Sequence, residues 1–163
     1  MFEAATIDAA DSSEFYAELA RQAQGLLAGE RDFIANAANL SALIFVSLPD
    51  LNWAGFYFLK GDTLVLGPFQ GKPACVRIAM GRGVCGAAAQ QRKALRIEDV
   101  NAFPDHIACD SASRSELVVP LTAGDKMLGV LDLDSPKLAR FSPADQAGVE
   151  RLAAIFLAAS DAP

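Results

Sequence analysis

Three cysteines, a single histidine and a small set of acids carry most of the chemistry open to this sequence. Cys109 sits between His106 and Asp110 in FPDHIACDSASRSELVVP, residues Phe103 to Pro120. Small polar residues follow it, and then Glu116 at the mouth of an apolar run. A thiol reacts as its thiolate, and polar, titratable neighbours favour that form, so Cys109 is a candidate nucleophile. The plainer alternative is a loop whose cysteine is only a small apolar group. His106 could lower the thiol's pKa when protonated, or simply hydrogen-bond a backbone carbonyl; the second role is the expectation.

Cys75 and Cys85 complete the thiol set. No two cysteines have the CxxC spacing of a zinc knuckle, and with one histidine no metal site is expected. A redox role needs a second thiol that can reach the first. The spacings permit that through folding without demanding it.

Asp132 and Asp134 lie two apart in VLDLDS, on one face of an expected strand, and Glu116 could approach them across a hairpin. Acids on an otherwise apolar strand are costly unless paired or protonated. Clustered carboxyls raise one another's pKa, so one could keep a proton near neutrality. Such a cluster can bind an ammonium group and donate a proton. The alternative is a set of solvated acids near Pro136. Trp53 and Tyr57 share a strand face with Gly55; aromatics there are usually core, but this pair could wall a pocket.

These residues need a scaffold, and the periodicities outline one. Phe15, Leu19, Ala23, Leu26 and Leu27 recur at helical spacing over Ser12 to Ala28, with Gly29 as a stop. Asp32 opens a second helix striped by Phe33, Ala37, Leu40, Ile44 and Leu48. Alternating residues from Trp53 to Phe58, a Lys60-Gly61-Asp62 turn and Leu64 to Phe69 read as a hairpin. Val76 to Ala79 and Leu95 to Ile97 are short strand candidates, with a short helix through Gln91 between them. Phe103 to Ser115 reads as a loop with at most a helical turn. Leu117 to Leu121 and Lys126 to Asp134 form a second hairpin. Ser142-Pro143 starts a last helix striped by Val149, Leu152, Ala153, Phe156 and Leu157. Without regular βαβ alternation, the expectation is an α+β fold, a mostly antiparallel sheet with helices packed on it.

The 163 residues suffice for one domain with a full core. The expected organisation is one domain over residues 1–163. Its N-terminal helices lie in 12–48, its sheet and site loops in 51–135 and its C-terminal helix in 142–159. A net charge of −6 repels phosphate backbones and anionic membranes, so neither nucleic acid nor membrane is an expected partner. The acidic start, MFEAATIDAADSSE, lacks the features of a signal peptide, and no apolar run is long enough to span a bilayer. A cytoplasmic location is therefore expected, where three cysteines do not make a structural disulfide framework.

LNWAGFYFLKGDTLVLGPFQGKPACVRIAMGRGVCGAAA, RIEDV, FPDHIACDSASRSELVVPL and GVLDLDSP together closely resemble the free methionine-(R)-sulfoxide reductases. The resemblance spans about Ala35 to Leu157. It implies a GAF domain and an oxidoreductase that reduces free L-methionine (R)-sulfoxide with no bound cofactor. It also implies Cys109 as nucleophile, Cys75 as resolving thiol, and Cys85 as a site-lining thiol able to stand in as resolver. By the same resemblance Glu116, Asp132 and Asp134 bind substrate, and Trp53 walls off the sulfoxide methyl. Thioredoxin is the implied external reductant, and the family often forms homodimers, with the N-terminal helices a plausible interface. Pro73, before Ala74-Cys75, departs from the family pattern and restricts the local backbone. The alternative is a non-catalytic GAF module binding a small effector such as a cyclic nucleotide; a weaker one is a general peroxide-reacting thiol protein.

Overall fold

The structure, a computed structural model, describes residues 1–107 and 109–163. Its centre is a six-stranded antiparallel sheet in the order β3-β2-β1-β6-β5-β4. The strands are β1 (Trp53–Lys60), β2 (Thr63–Gly71), β3 (Arg77–Ala79), β4 (Leu95–Ile97), β5 (Ser115–Ala123) and β6 (Lys126–Ser135). Helices α1 (Ser12–Leu26), α2 (Phe33–Ser47) and α4 (Pro143–Ala159) cover one face, and α3 (Gly83–Gln91) packs on the other. This is the expected α+β layout, its hairpins turning at Gly61 and Gly124, both at positive φ.

Helices α1, α2 and α4 each begin where a side-chain oxygen takes up a free first-turn N–H group, whereas α3 starts at Arg82 without such a cap. Asp11 accepts from Glu14 N at 2.9 Å and Asp32 from Ala35 N at 2.8 Å. Ser142 and Asp145 form a reciprocal capping box with Pro143 at the first helical position. Phe33, Ala37, Leu40 and Ile44 from α2 meet Ala54, Phe56 and Phe58 from β1 in the larger core. The stripe on α1 differs in one place. Tyr16, rather than Phe15, is the buried aromatic, because it packs over Gly148 and its hydroxyl donates to Asp145 Oδ1 at 2.6 Å.

The second sheet face carries a smaller core around Trp53, Tyr57, Val84, Cys85, Ala88, Val118 and Val130. Gly86 lets α3 press close to this face: a Cβ there would strike the Ala79 carbonyl oxygen. The strands run longer than their apolar runs suggest, β5 reaching back to Ser115 and β2 on to Gly71. Ladder bonds continue past the apolar residues. The helical turn expected inside the loop lies just ahead of it, a 3-10 turn at Val100–Ala102 capped by Asp99. None of the described helices is long and apolar enough to cross a membrane.

Candidate functional site

Sheet register builds the acid cluster. Glu116 on β5 stands directly opposite Asp134 on β6, and Asp132 lies two residues along the same face. On its other side β6 pairs with β1, setting Asp134 against Trp53 and Asp132 against Gly55. A side chain at Gly55 would press within 2.8 Å of the Trp53 ring, so the glycine makes room for the indole. Strand alternation sends Leu117, Leu131 and Leu133 into the larger core and leaves the acids on the α3 side.

Burial then sets their chemistry. Glu116 is 6 % exposed and Asp132 5 %, which excludes the solvated-acid alternative for these two, while Asp134 is half-buried. Burial pushes Asp132 up to about 7. Burial, with repulsion from Asp132, drives Glu116 and Asp134 well above the usual carboxylate range. All three carboxyls are thus shifted toward the protonated form, as expected of acids clustered away from water. One Asp132 oxygen, Oδ1, is buried with no hydrogen-bond partner among the described residues.

Cys85 stands over this cluster from the first turn of α3, its thiol donating to Glu116 Oε1 at 3.8 Å. Burial and the nearby carboxylates push this thiol up, so it is the protonated, inert form at rest. The sulfur and carboxyl oxygens of Cys85, Glu116 and Asp132 lie within 4.8 Å of one another. Sequence spacing gave no hint of this grouping, because its members come from α3, β5 and β6.

Cys75 and Cys109 are joined in a disulfide, with Cα atoms 5.4 Å apart. Both approaching segments are anchored to the site. Trp53 stacks on Phe69 and Tyr57, and its Nε1 donates to the Lys72 carbonyl at 3.2 Å. The Tyr57 hydroxyl donates to the Cys75 carbonyl at 2.9 Å. The Cys109 side is held through its neighbour. Asp110 accepts from Asn52 Nδ2 at 3.2 Å and from Ala112 N at 2.9 Å, and the latter bond keeps its carboxyl below the ordinary range.

One cavity of about 40 Å³ gathers Trp53, Tyr57, Cys85, Cys109, Glu116, Asp132 and Asp134. Cys75 is the one sequence-selected residue outside its lining, tied to it through the disulfide. His106 also lines it, correcting its expected role. Among the described residues its ring makes no bond to a backbone carbonyl; Nε2 faces Glu116 Oε2 at 4.0 Å, and burial lowers its pKa. Sequence reasoning missed Arg82, Ser113 and Asn52. Arg82 adjoins the GVCG stretch that opens a helix, a signal that could have been used. Asn52 and Ser113 are single polar residues whose contact spans 61 positions.

Comparison with known proteins places this arrangement. The GAF domain family matches residues 12–159. The free methionine-R-sulfoxide reductase of Escherichia coli is 55 % identical over 144 residues, 88 % of this chain and 87 % of the relative. The enzyme of that name from Saccharomyces cerevisiae is 42 % identical over 90 % of this chain and 86 % of its own. Among solved structures, the free methionine-R-sulfoxide reductase of Neisseria meningitidis, in complex with its substrate, superposes with a TM-score of 0.92. It is 41 % identical and covers 98 % of this chain and 95 % of its own. With a GAF match along nearly the whole chain and relatives of this identity, the chain belongs to the free methionine-(R)-sulfoxide reductase family of oxidoreductases.

Proposed function

We propose that this protein reduces free L-methionine (R)-sulfoxide to L-methionine, with Cys109 as the nucleophile. The observation that carries the reading is the meeting of Cys109 with Glu116, Asp132 and Asp134, carboxyls whose pKa values burial raises, in one cavity. The Cys109 thiolate attacks the sulfoxide sulfur. A carboxyl of the Glu116, Asp132 and Asp134 cluster protonates the sulfoxide oxygen as negative charge develops there. General acid help of this kind is typically worth roughly 10²–10⁴-fold. The substrate sulfur gains two electrons and leaves as the thioether. Cys109 loses two and, taking the oxygen, becomes a sulfenic acid. The Cys75 thiol displaces that oxygen as water and closes the disulfide. An external dithiol of the thioredoxin type then reduces it and is itself oxidised to a disulfide. The electrons come from thiols throughout, so the reaction requires no resident cofactor.

The same carboxyls suit the substrate's ammonium group once they ionise around it. Arg82, Gly83 and Val84 at the start of α3 line the cavity, and the arginine with the helix's positive end suits the substrate's carboxylate. Trp53, fixed by its stacking, walls the methyl end. A cyclic phosphate would meet three carboxyls against one arginine, which favours the amino acid over a nucleotide effector. Pairing of two copies through the N-terminal helices and a cytoplasmic location belong to the same proposal. Sedimentation of the full chain checks the first and cell fractionation the second. For the chemistry, Cys109→Ser is expected to bind the free sulfoxide and reduce none of it. Full turnover in that variant would remove Cys109 from the reaction.

A further inference from the structure

We propose that the floor of this cavity is also a binding site for a zinc-type divalent cation, held by Cys85, Glu116 and Asp132. His106 stands beside this group, and the bound ion excludes the substrate's ammonium group. The three donors come from separate elements yet converge within 4.8 Å. Ligand atoms around a tetrahedral zinc lie roughly 3.5 Å apart, given its bond lengths of about 2.0–2.3 Å. Cys85 Sγ and Glu116 Oε1, at 3.8 Å, already stand near that separation.

A second observation points independently to a missing partner. Asp132 is 95 % buried by its 5 % exposure, lines the cavity, and has an oxygen with no hydrogen-bond partner among the described residues. Such a group asks for a proton, an ammonium or a cation. Once their protons are released to solvent on binding, the three groups offer one thiolate and two carboxylates, a set that zinc takes in proteins and that magnesium or calcium does not. The cavity's 40 Å³ holds about three water-sized bodies, enough for an ion while the Cys75–Cys109 disulfide is closed. Cys85 is then the one free thiol, so the site is available in the oxidised protein.

The proposed site is independent of turnover; only its competition with substrate rests on the proposed function. Co²⁺ titrated into the disulfide form should give a thiolate-to-cobalt charge-transfer band at one ion per chain, and Zn²⁺ should bleach it. In Cys85→Ser the band should vanish and Co²⁺ affinity by calorimetry should fall about 100-fold; in Glu116→Gln, with the thiol retained, it should fall about tenfold. In the Cys75→Ser/Cys109→Ser double variant, which cannot turn over, saturating free methionine sulfoxide should displace the cobalt. No band in the wild-type protein, or a band that survives in Cys85→Ser, overturns the site whether or not the protein is a reductase. Cobalt left in place by saturating substrate overturns the exclusion.

Discussion

At the scale of single residues, function turns on where protons sit. Folded Asp132 keeps its proton up to about pH 7, whereas the unfolded carboxyl loses it near 3.8. Between those limits the folded state binds more protons, so this residue's contribution to stability is largest at the acid end and is lost as pH rises. Urea unfolding of wild type and Asp132→Asn across pH 4 to 7 should reveal it. The wild type is expected to lose on the order of 1–4 kcal/mol relative to the variant over that window. A flat difference would mean that the carboxyl is not held neutral. If the same cluster protonates the sulfoxide, kcat should fall about tenfold per pH unit above its apparent pKa, while Asp132→Asn shifts that limb. A kcat that is level to pH 9 would remove the cluster from proton transfer.

Elements decide whether those residues meet. Register between β5 and β6 stacks Glu116 on Asp134, and α3 brings Cys85 onto Glu116 only because Gly86 admits close packing against β3. Gly86→Ala should therefore destabilise the fold by about 1–3 kcal/mol in chemical unfolding and lower activity with it. An unchanged midpoint would show that α3 tolerates displacement. Tyr57→Phe removes the hydroxyl that anchors the Cys75 carbonyl. It should cost about 1 kcal/mol and slow disulfide closure more than the first reduction of substrate, which burst kinetics separate. Equal slowing of both phases would place Tyr57 in the chemistry rather than in positioning Cys75.

Periodicity and turn residues were enough to outline all of these elements. Phe33, Ala37, Leu40 and Ile44 marked a buried helix face, and Gly61 and Gly124 marked the hairpins. The residues Glu116, Asp132 and Asp134 stood out because acids are out of place in apolar strands. What stayed hidden depends on contacts distant in sequence. The Cys85–Glu116 contact spans 31 residues, and the position of His106 follows from a loop closing over the sheet. The place of Asn52 depends on where the Cys109 loop lands. No local pattern encodes these, and metal spacing rules fail when each donor comes from a different element.

For the whole molecule, the closed disulfide form poses a problem of access. Its cavity of about 40 Å³ is small beside a methionine sulfoxide, with about ten non-hydrogen atoms. Under the proposed reaction, breaking the Cys75–Cys109 bond must let the two segments it joins move apart. Calorimetry should then show free methionine sulfoxide binding to the reduced Cys109→Ser protein and at least tenfold more weakly to the oxidised wild type. Hydrogen exchange should rise on reduction around residues 72–76 and 103–113. Equal binding to both forms would mean that substrate enters by another route.

The central claim is tested most directly by giving fully reduced protein one equivalent of free methionine (R)-sulfoxide without external reductant and then mapping its thiols by mass. The expected result is up to one methionine per chain, with Cys75 and Cys109 linked in proportion and Cys85 free. Sulfoxide recovered intact, with three thiols still titrating, would contradict it.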